Sequence, residues 1–576
     1  MATVKQLTAV FFESAAKSPD AVALRFFDNS AGAWREHSWK EYERQVRKTA
    51  AWLQGQGIGK GDRVAIMSPN RPEWLIADLA ILAIGAVSVP IYATASAKDV
   101  SYILEHSESK ALLVDSPNRL KAVAGAPLPK LLVAFDGGAG ATSLTSILTG
   151  DTPPLASVVP VDDKDIATII YTSGTTGMPK GAVHTHGSFM ATTKPVADVL
   201  NEGKTGPDRF FSFLPLSHVA ERILVEVGSV ITQSEVAFAR SVDTLVDDMQ
   251  VHPPTILLCV PRLWERIHEK IRKGLETASP VKKLVFGLAE KAGTARFADG
   301  GARILKANDA KPFAKIADKL VGDKLKAKLG MDKVRMFLTG SAPTRPDILR
   351  FFAGFGIFIR EVYGLTENLC LGVYTRPDEI VIGSCGFVFP GGEVKIAADG
   401  EILLRAPWNF VGYYKNEQAT KEALTPDGWF MTGDLGTVGP DGRLRITGRK
   451  KELLKTSTGK YVAPVPLEDE LKSLSLITDA MVVGDGEKYC VALVALDPTH
   501  PQASTCDSVL KEHLERLNTG KAHHEAIARL GVLRSGFSIE AGTLTPSLKL
   551  KRKAAETQYE GFIRRVYSAK ETVVRE

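Results

Sequence analysis

The chain has 576 residues, 44% of them hydrophobic and 24% charged. That balance is ordinary for globular proteins and excludes disorder, collagen or coiled coil as descriptions of the whole. Lys and Arg outnumber Asp and Glu by 72 to 66, a net charge of +6, too thin over this length to argue for a nucleic-acid partner.

The first twenty residues lack the ordered basic, apolar and small-residue regions of a secretory leader. Residues 21–27 (AVALRFF) read as a strand, and Ser38 as the cap of a helix over 39–54. A strand over 63–68, a helix over 72–83 and a strand over 87–91 follow, then a helix over 100–107 and a strand over 111–114. Strands alternating with helices in this way indicate a mostly parallel α/β sheet. The apolar stretch 74–92 is broken by Asp78, Gly85 and Pro90, so it reads as a buried helix and strand rather than a membrane span. The protein is expected to be soluble or peripheral. Cys259, Cys370, Cys385, Cys490 and Cys506 are odd in number, widely spaced and form no C-x-x-C pair. A reducing compartment without a disulfide framework is the expectation.

The sharpest segment is YTSGTTGMPKG, at 171–181. A strand runs into Thr172, Ser173, Gly174, Thr175, Thr176 and Gly177, and Lys180 follows. Glycines let backbone N–H groups approach a polyanion, hydroxyls add donors, and lysine adds charge, so phosphate binding is the direct inference. The spacing does not fit G-x-x-x-x-G-K-[ST]. Downstream come LPLSHVAER at 214–222, PRLWE at 261–265, and a Lys-rich helical stretch over 265–333 with few strand signals. There, Phe313, Ile316, Leu320, Val321, Leu325 and Leu329 predict one apolar helix face. Nine basic and four acidic residues over 303–333 form either a solvated face or a membrane-surface patch. Then follow GSAP at 340–343 and YGLTE at 363–367. After Gly383 the texture is β-rich with short hairpins. It includes GWFMTGD at 428–434 and GRKKE at 448–452. Near 450–452 the pattern changes to a small α+β unit carrying LTPSLK at 544–549, and a boundary is placed there.

These motifs, in this order, resemble those of the adenylate-forming enzymes: acyl-CoA synthetases, luciferases and the adenylation domains of peptide synthetases. The resemblance covers nearly the whole chain. It implies a large N-terminal domain (1–450) of several subdomains, with parallel α/β sheets and a β-rich part, that binds ATP and the acyl group. It also implies a small mobile α+β C-terminal domain (451–576), with a hinge near Lys451. By the same resemblance, Thr172–Lys180 cradles phosphates, Ser341 and Ala342 flank adenine, and Tyr363 beside Gly364 stacks on it. Thr366 faces the α-phosphate and Glu367 holds Mg²⁺, a hard cation suited to carboxylate. Asp434 and Arg449 reach the ribose, Lys549 is the late catalytic lysine, and Gly459 and Tyr461 face the pantetheine of coenzyme A. LPLSHVAER, PRLWE, the helical insertion and Arg552 after Lys549 resemble the long-chain acyl-CoA synthetases, bacterial type, with His218 at the carboxylate end of the acyl site. His184 and His186 read as structural. An apolar acyl tunnel is expected near Phe213, Val219 and 227–230.

The resemblance implies that ATP, Mg²⁺ and coenzyme A convert a long-chain fatty acid first to acyl-AMP and then to a thioester. An acyl-AMP ligase serving a carrier protein, an aryl- or medium-chain-CoA ligase, a luciferase and a non-catalytic sensor are the rivals. A cytoplasmic protein, peripheral at the inner face of an anionic membrane, is the expected setting, and a homodimer stays open.

Overall fold

Val87–Ile91 and Arg63–Met67 are runs of small and branched residues buried on both faces, the pattern of central parallel strands. In a computed structural model of the chain they lie at the centre of one of two large sheets. The structure describes residues 5–138, 140–172, 178–298, 303–304, 315, 317–377, 380–498, 500, 506–538, 540–545 and 550–576. Among these, one sheet has eight strands, in the spatial order 412–413, 180–185, 166–172, 87–91, 63–67, 111–114, 131–134, 142–143. It is parallel except where Lys180–Thr185 turns back on Ile166–Thr172 and pairs with Gly412–Tyr413. The other has nine described strands, with Met336–Thr339 and Ile359–Tyr363 parallel to Ile256–Cys259 inside it.

The helix Trp39–Gly55 begins where expected: Ser38 Oγ accepts from the Glu41 N–H at 3.2 Å. Pro72–Ala83 has proline at its first turn, where the missing N–H costs nothing. Every residue of it except Glu73 is buried, Asp78 included, so it is an internal layer rather than a span. Among the described residues no helix is long and apolar enough to cross a membrane. None of the five cysteines forms a disulfide.

The β-rich part is an antiparallel sheet of Glu393–Ile396, Glu401–Arg405, Phe430–Val438 and Leu444–Arg449. Beyond it, Ile477–Val483, Cys490–Leu496, Ile527–Leu533 and Val573–Arg575 form a separate sheet. Strand side chains alternate between faces. Ala480, Val482, Ala492 and Val494 accordingly meet the helix Asp507–Asn518, while Met481, Val483, Val491 and Leu493 meet Arg552–Gln558 and Glu560–Ser568.

Two local expectations are corrected. The helical region starts at Pro261, not 265, and contains the short strands Phe297–Ala298 and Arg303–Ile304, the latter paired with Ile380–Val381. Leu320 is exposed rather than on the buried face. It sits in a π-helical turn, Asp318–Gly322, whose wider winding breaks the 3.6-residue period used to place it; Val321, Leu325 and Leu329 do face the core, and Phe313 and Ile316 lie outside the described residues. Asp434 lies within the strand Phe430–Val438.

Candidate nucleotide and acyl-transfer site

The two ends of the phosphate-type loop are fixed by β pairing: Thr172 and Lys180 are direct cross-strand partners. Thr172 Oγ1 also lies 3.4 Å from the Lys180 carbonyl as its donor. Ser173, Gly174, Thr175, Thr176 and Gly177 lie outside the described residues. The Lys180 ammonium sits 5.0 Å from the centre of the Tyr413 ring. The Tyr413 hydroxyl in turn donates to Glu367 Oε1 at 2.7 Å. Burial and the neighbouring carboxylate push the Tyr413 phenol upward, so it remains a donor. Lys180 and Glu367 therefore approach the same ring from different parts of the sequence.

Thr366 and Glu367 follow Tyr363 and Gly364 at the end of Ile359–Tyr363. A Cβ on Gly364 would meet the Cys370 backbone at 2.4 Å, so this turn admits only glycine. Behind it, His184 Nε2 lies 2.8 Å from the Thr366 carbonyl. A carbonyl only accepts, so Nε2 carries the proton and the buried Nδ1 is left without a partner. Burial pulls His184 down to about 3, which keeps the ring neutral. His184 was read from sequence as structural; the fold sets it directly behind the Thr366–Glu367 turn.

The ribose candidates come together by way of the hairpin. Asp434 and Arg449 are cross-strand partners. Arg449 Nε donates to Asp434 Oδ1 at 2.7 Å, and the Tyr363 hydroxyl donates to Oδ2 at 2.7 Å. Asp434 is buried, while the Arg449 side chain is 43% exposed. A carboxylate has about four acceptor sites, so two remain for further donors such as vicinal hydroxyls. Ser341 and Ala342 are exposed, and Ser341 takes a positive φ of 73°. Gly340 just before it passes close to Val362, where a Cβ would lie 2.9 Å from the side chain. This leaves an open loop beside Tyr363.

In the C-terminal unit, Lys451 is exposed in a short 3₁₀ turn, while Lys450 beside it pairs with Asp399 at 2.6 Å and Glu401 at 3.0 Å. Gly459 (φ 79°) and Tyr461 lie exposed on the turn joining Leu454–Lys455 to Tyr461–Val462. Lys549 lies outside the described residues. Arg552 is held by Glu468 at 2.8 Å and the Val482 carbonyl at 2.9 Å.

The sequence pattern described as "AMP-binding enzyme" matches residues 11–414, and "AMP-binding enzyme C-terminal domain" matches 451–571. The chain belongs to the AMP-binding enzymes. Among curated relatives, it is 35% identical to "Long-chain-fatty-acid--CoA ligase FadD15" of Mycobacterium bovis, over 98% of this chain and 97% of that protein. It is 32% identical to "Long chain acyl-CoA synthetase 7, peroxisomal" of Arabidopsis thaliana, over 94% of this chain and 83% of that one. Among solved structures, the anthranilate CoA ligase AuaEII in complex with anthranoyl-AMP shares the fold with a TM-score of 0.77 at 19% identity, over 98% and 99% of the two chains. O-succinylbenzoate coenzyme A synthetase from Bacillus subtilis, in complex with AMP, gives 0.70 at 22% identity, over 94% and 97%.

For an AMP-binding enzyme the donor set fits Mg²⁺. Glu367 offers a buried, anchored carboxylate, and Mg²⁺ typically takes one or two carboxylates together with substrate phosphates. Among the described residues no cluster of three or more His, Cys, Asp or Glu competes as a metal site.

His218 caps a short helix, its Nδ1 accepting from the Ala220 N–H at 3.2 Å. Around it lies chemistry that sequence reasoning missed. Glu221 is buried, its Oε1 accepting from the Phe213 N–H at 3.1 Å, and burial pushes it up to about 8. Arg222 is buried too. It donates to Asp78 at 2.6 Å, Glu226 at 3.1 Å and Thr168 Oγ1 at 2.8 Å, and its guanidinium lies 5.0 Å from the Phe189 ring centre. Burial and the Asp78 charge push Glu226 well above the carboxylate range, so the cluster balances as Arg⁺, Asp⁻ and a neutral acid. Asp78, Thr168 and Arg222 are far apart in sequence, and only a charge inside an apolar run hinted at the cluster. Val219, Val227 and Val230, expected along the acyl tunnel, are buried in one core, and Phe213 is half-buried.

Proposed function

We propose that this chain is a long-chain fatty acid–CoA ligase, an AMP-forming acid–thiol ligase. The observation that carries the reading is near-full-length identity of 30–35% to relatives so named. The convergence of Lys180, Glu367, Tyr363, Asp434 and Arg449 supports it.

A carboxylate is a poor electrophile because its leaving group would be oxide. Attack of a carboxylate oxygen on the α-phosphorus of ATP forms the acyl–phosphate bond and breaks the bond to pyrophosphate. The coenzyme A thiolate then attacks the acyl carbon, and AMP leaves. Such chemistry needs positioning and charge stabilisation more than covalent help. In this reading the 172–180 loop and Lys180 hold the phosphates, and Thr366 donates to the α-phosphate. Asp434 and Arg449 hold the ribose, and Tyr363 and the 340–342 loop hold the adenine. His218 faces the acyl carboxylate, and Lys549 meets the charge that develops during adenylation. Glu367 would hold Mg²⁺, which supplies positive charge at the phosphate oxygens. The 1–450 domain carries ATP and the acyl chain. The 451–576 domain turns about Lys451, bringing Lys549 for the first step and Gly459 with Tyr461 for the second. We place the enzyme in the cytoplasm, in peripheral contact with anionic membrane, as a monomer or homodimer.

The test is a chain-length series of AMP formation, with and without coenzyme A. Each buried CH₂ contributes about 0.8 kcal/mol, so preference should rise steeply with chain length until the acyl site ends. Equal activity on acetate and palmitate, or AMP release independent of coenzyme A, would overturn the reading in favour of another acid or a carrier-protein acceptor.

A further inference from the structure

The helix Pro280–Gly293 belongs to the Lys-rich region and presents two apolar faces. One is internal: Phe286, Ala289 and Gly293 are buried, and a Cβ on Gly293 would strike the Gly354 carbonyl oxygen at 2.4 Å. The helix is therefore seated closely against Pro346–Gly354. The other face is bare. Val281 is 69% exposed, Leu284 63%, Leu288 59% and Val285 38%. At about 100° per residue these four fall within roughly 100° of arc, one continuous stripe. Leu320, 53% exposed, lies in the Asp318–Gly322 turn packed against the same helix. Five of the eleven large hydrophobic residues exposed among the described residues are thus on two adjacent elements. Single exposed hydrophobics need no explanation, but a contiguous stripe does.

The surrounding charge is mainly positive. Three nearby acids are held internally, Glu290 by Arg272 at 3.2 Å, Asp318 by Arg296 and Asp323 by Lys326 at 2.9 Å, and Glu276 is exposed at the foot of the helix, where its carbonyl accepts from Lys283. Lys282, Lys291, Lys319 and Lys324 point into solvent. We infer that the Pro280–Gly293 stripe, with the Asp318–Gly322 turn, is a docking face for an anionic lipid surface. The apolar stripe would enter the headgroup boundary, and the lysines would meet the phosphates. Charge selects this occupant over a second copy. An isologous dimer through the stripe would set the same lysines against themselves. The inference deepens the reading above, on which it rests for its purpose: a long acyl chain reaches the enzyme from a bilayer. It places the contact on this helix rather than across the whole basic stretch 303–333.

The test is co-sedimentation of the full chain with phosphatidylcholine vesicles, with and without phosphatidylglycerol, at low and high salt. Binding should require phosphatidylglycerol and weaken as salt screens the lysines. The double variant Leu284→Ser/Leu288→Ser should lose at least about tenfold in partitioning. Its melting temperature should be unchanged, since both side chains are on the surface. Lys282→Ala/Lys291→Ala should lose binding mainly at low salt. Unaltered binding by the leucine variant overturns the inference, as does no binding at low salt. Light scattering that shows a wild-type dimer split by Leu284→Ser/Leu288→Ser also overturns it, in favour of a second copy. AMP formation from albumin-delivered fatty acid should be equal in wild type and leucine variant. If both are inactive there, the ligase reading has failed while the vesicle result still stands on its own.

Discussion

Arg222 and Arg262 each reach two carboxylates, in surroundings that could hardly differ more. Arg222 lies 1% exposed between Asp78 and Glu226, both at 0%. Arg262 is 32% exposed, 3.2 Å from Glu265 on its own helix and 3.8 Å from Asp479 of the C-terminal sheet. It also donates to the Thr478 carbonyl at 2.9 Å, and Lys273 on the same helix reaches Asp497 at 2.9 Å. In the first region water is excluded, and removing one partner strands a charge. In the second, water can replace any partner that leaves. The same chemistry therefore locks the interior of the large domain and only tacks the C-terminal unit onto the helix Pro261–Glu276. The turning unit we propose needs the second kind of contact.

The sharpest break of that contrast is Arg222→Ala. It leaves the Asp78 carboxylate buried without a counter-charge and Glu226 without its donor, a change that costs about 3–5 kcal/mol. Denaturant midpoints should show a large loss, and Arg222→Met, which keeps the volume, should lose less. A loss no greater than that of Arg262→Ala would mean that water reaches the cluster.

Next in size is Lys549→Ala, which tests whether the tacked unit delivers its lysine to one step alone. By analogy with deleting one oxyanion donor, adenylation should fall by about 10²-fold or more, roughly 3 kcal/mol. Supplied acyl-AMP should still react with coenzyme A at a near-normal rate. Gly459→Leu should do the reverse. Its φ of 79° already strains any side chain, and the turn is open, so the added bulk stands where we propose the thiol chain passes. Equal slowing of both steps by Lys549→Ala would hand the role to Lys551 or Lys553, or end the two-orientation account.

How much of this was legible in the sequence differs between the same two regions. The alternation of strand and helix through 114 was readable because buried parallel strands are continuous apolar runs. Asp434 and Arg449 were named together through the family resemblance, and the hairpin between them sets them opposite each other. The Arg222 cluster was not legible, since its members come from four elements brought together only by tertiary folding. Nor was the contact of Arg262 with Asp479, 217 positions away, because an exposed arginine carries no signal of its partner. Leu320 was misplaced because a π-helical turn has no signature in a 3.6-residue pattern.

A smaller, pH-dependent effect belongs to the buried region. Glu221 titrates near 8 in the fold against an ordinary value of 4.5, because burial disfavours its charge. The folded state thus holds a proton that the unfolded chain releases. That contribution is full below pH 4.5 and is lost as pH rises through 8, at up to about 1.4 kcal/mol per pH unit. Glu221→Gln removes it. Its denaturation midpoint should therefore fall less than the wild type's between pH 5.5 and 8, and parallel slopes would show Glu221 to be solvated.

The smallest effect expected is the most informative about motion. Arg262→Ala removes an exposed pair and one hydrogen bond, and exposed pairs contribute about 0–1 kcal/mol. Global stability should hardly change, and Lys273→Ala should behave alike. Both residues, however, contact the C-terminal unit in the orientation seen here, and the turned orientation we propose would break those contacts. Weakening that orientation by even 0.7 kcal/mol would shift a two-state balance about threefold, since 1.4 kcal/mol is tenfold. The half-reaction served by this orientation should slow and the other should not, and added salt should mimic the substitution in the wild type while leaving the variant indifferent. A change shared equally by both half-reactions would mean that Arg262 stabilises the large domain alone, and the contrast with Arg222 would reduce to one of degree.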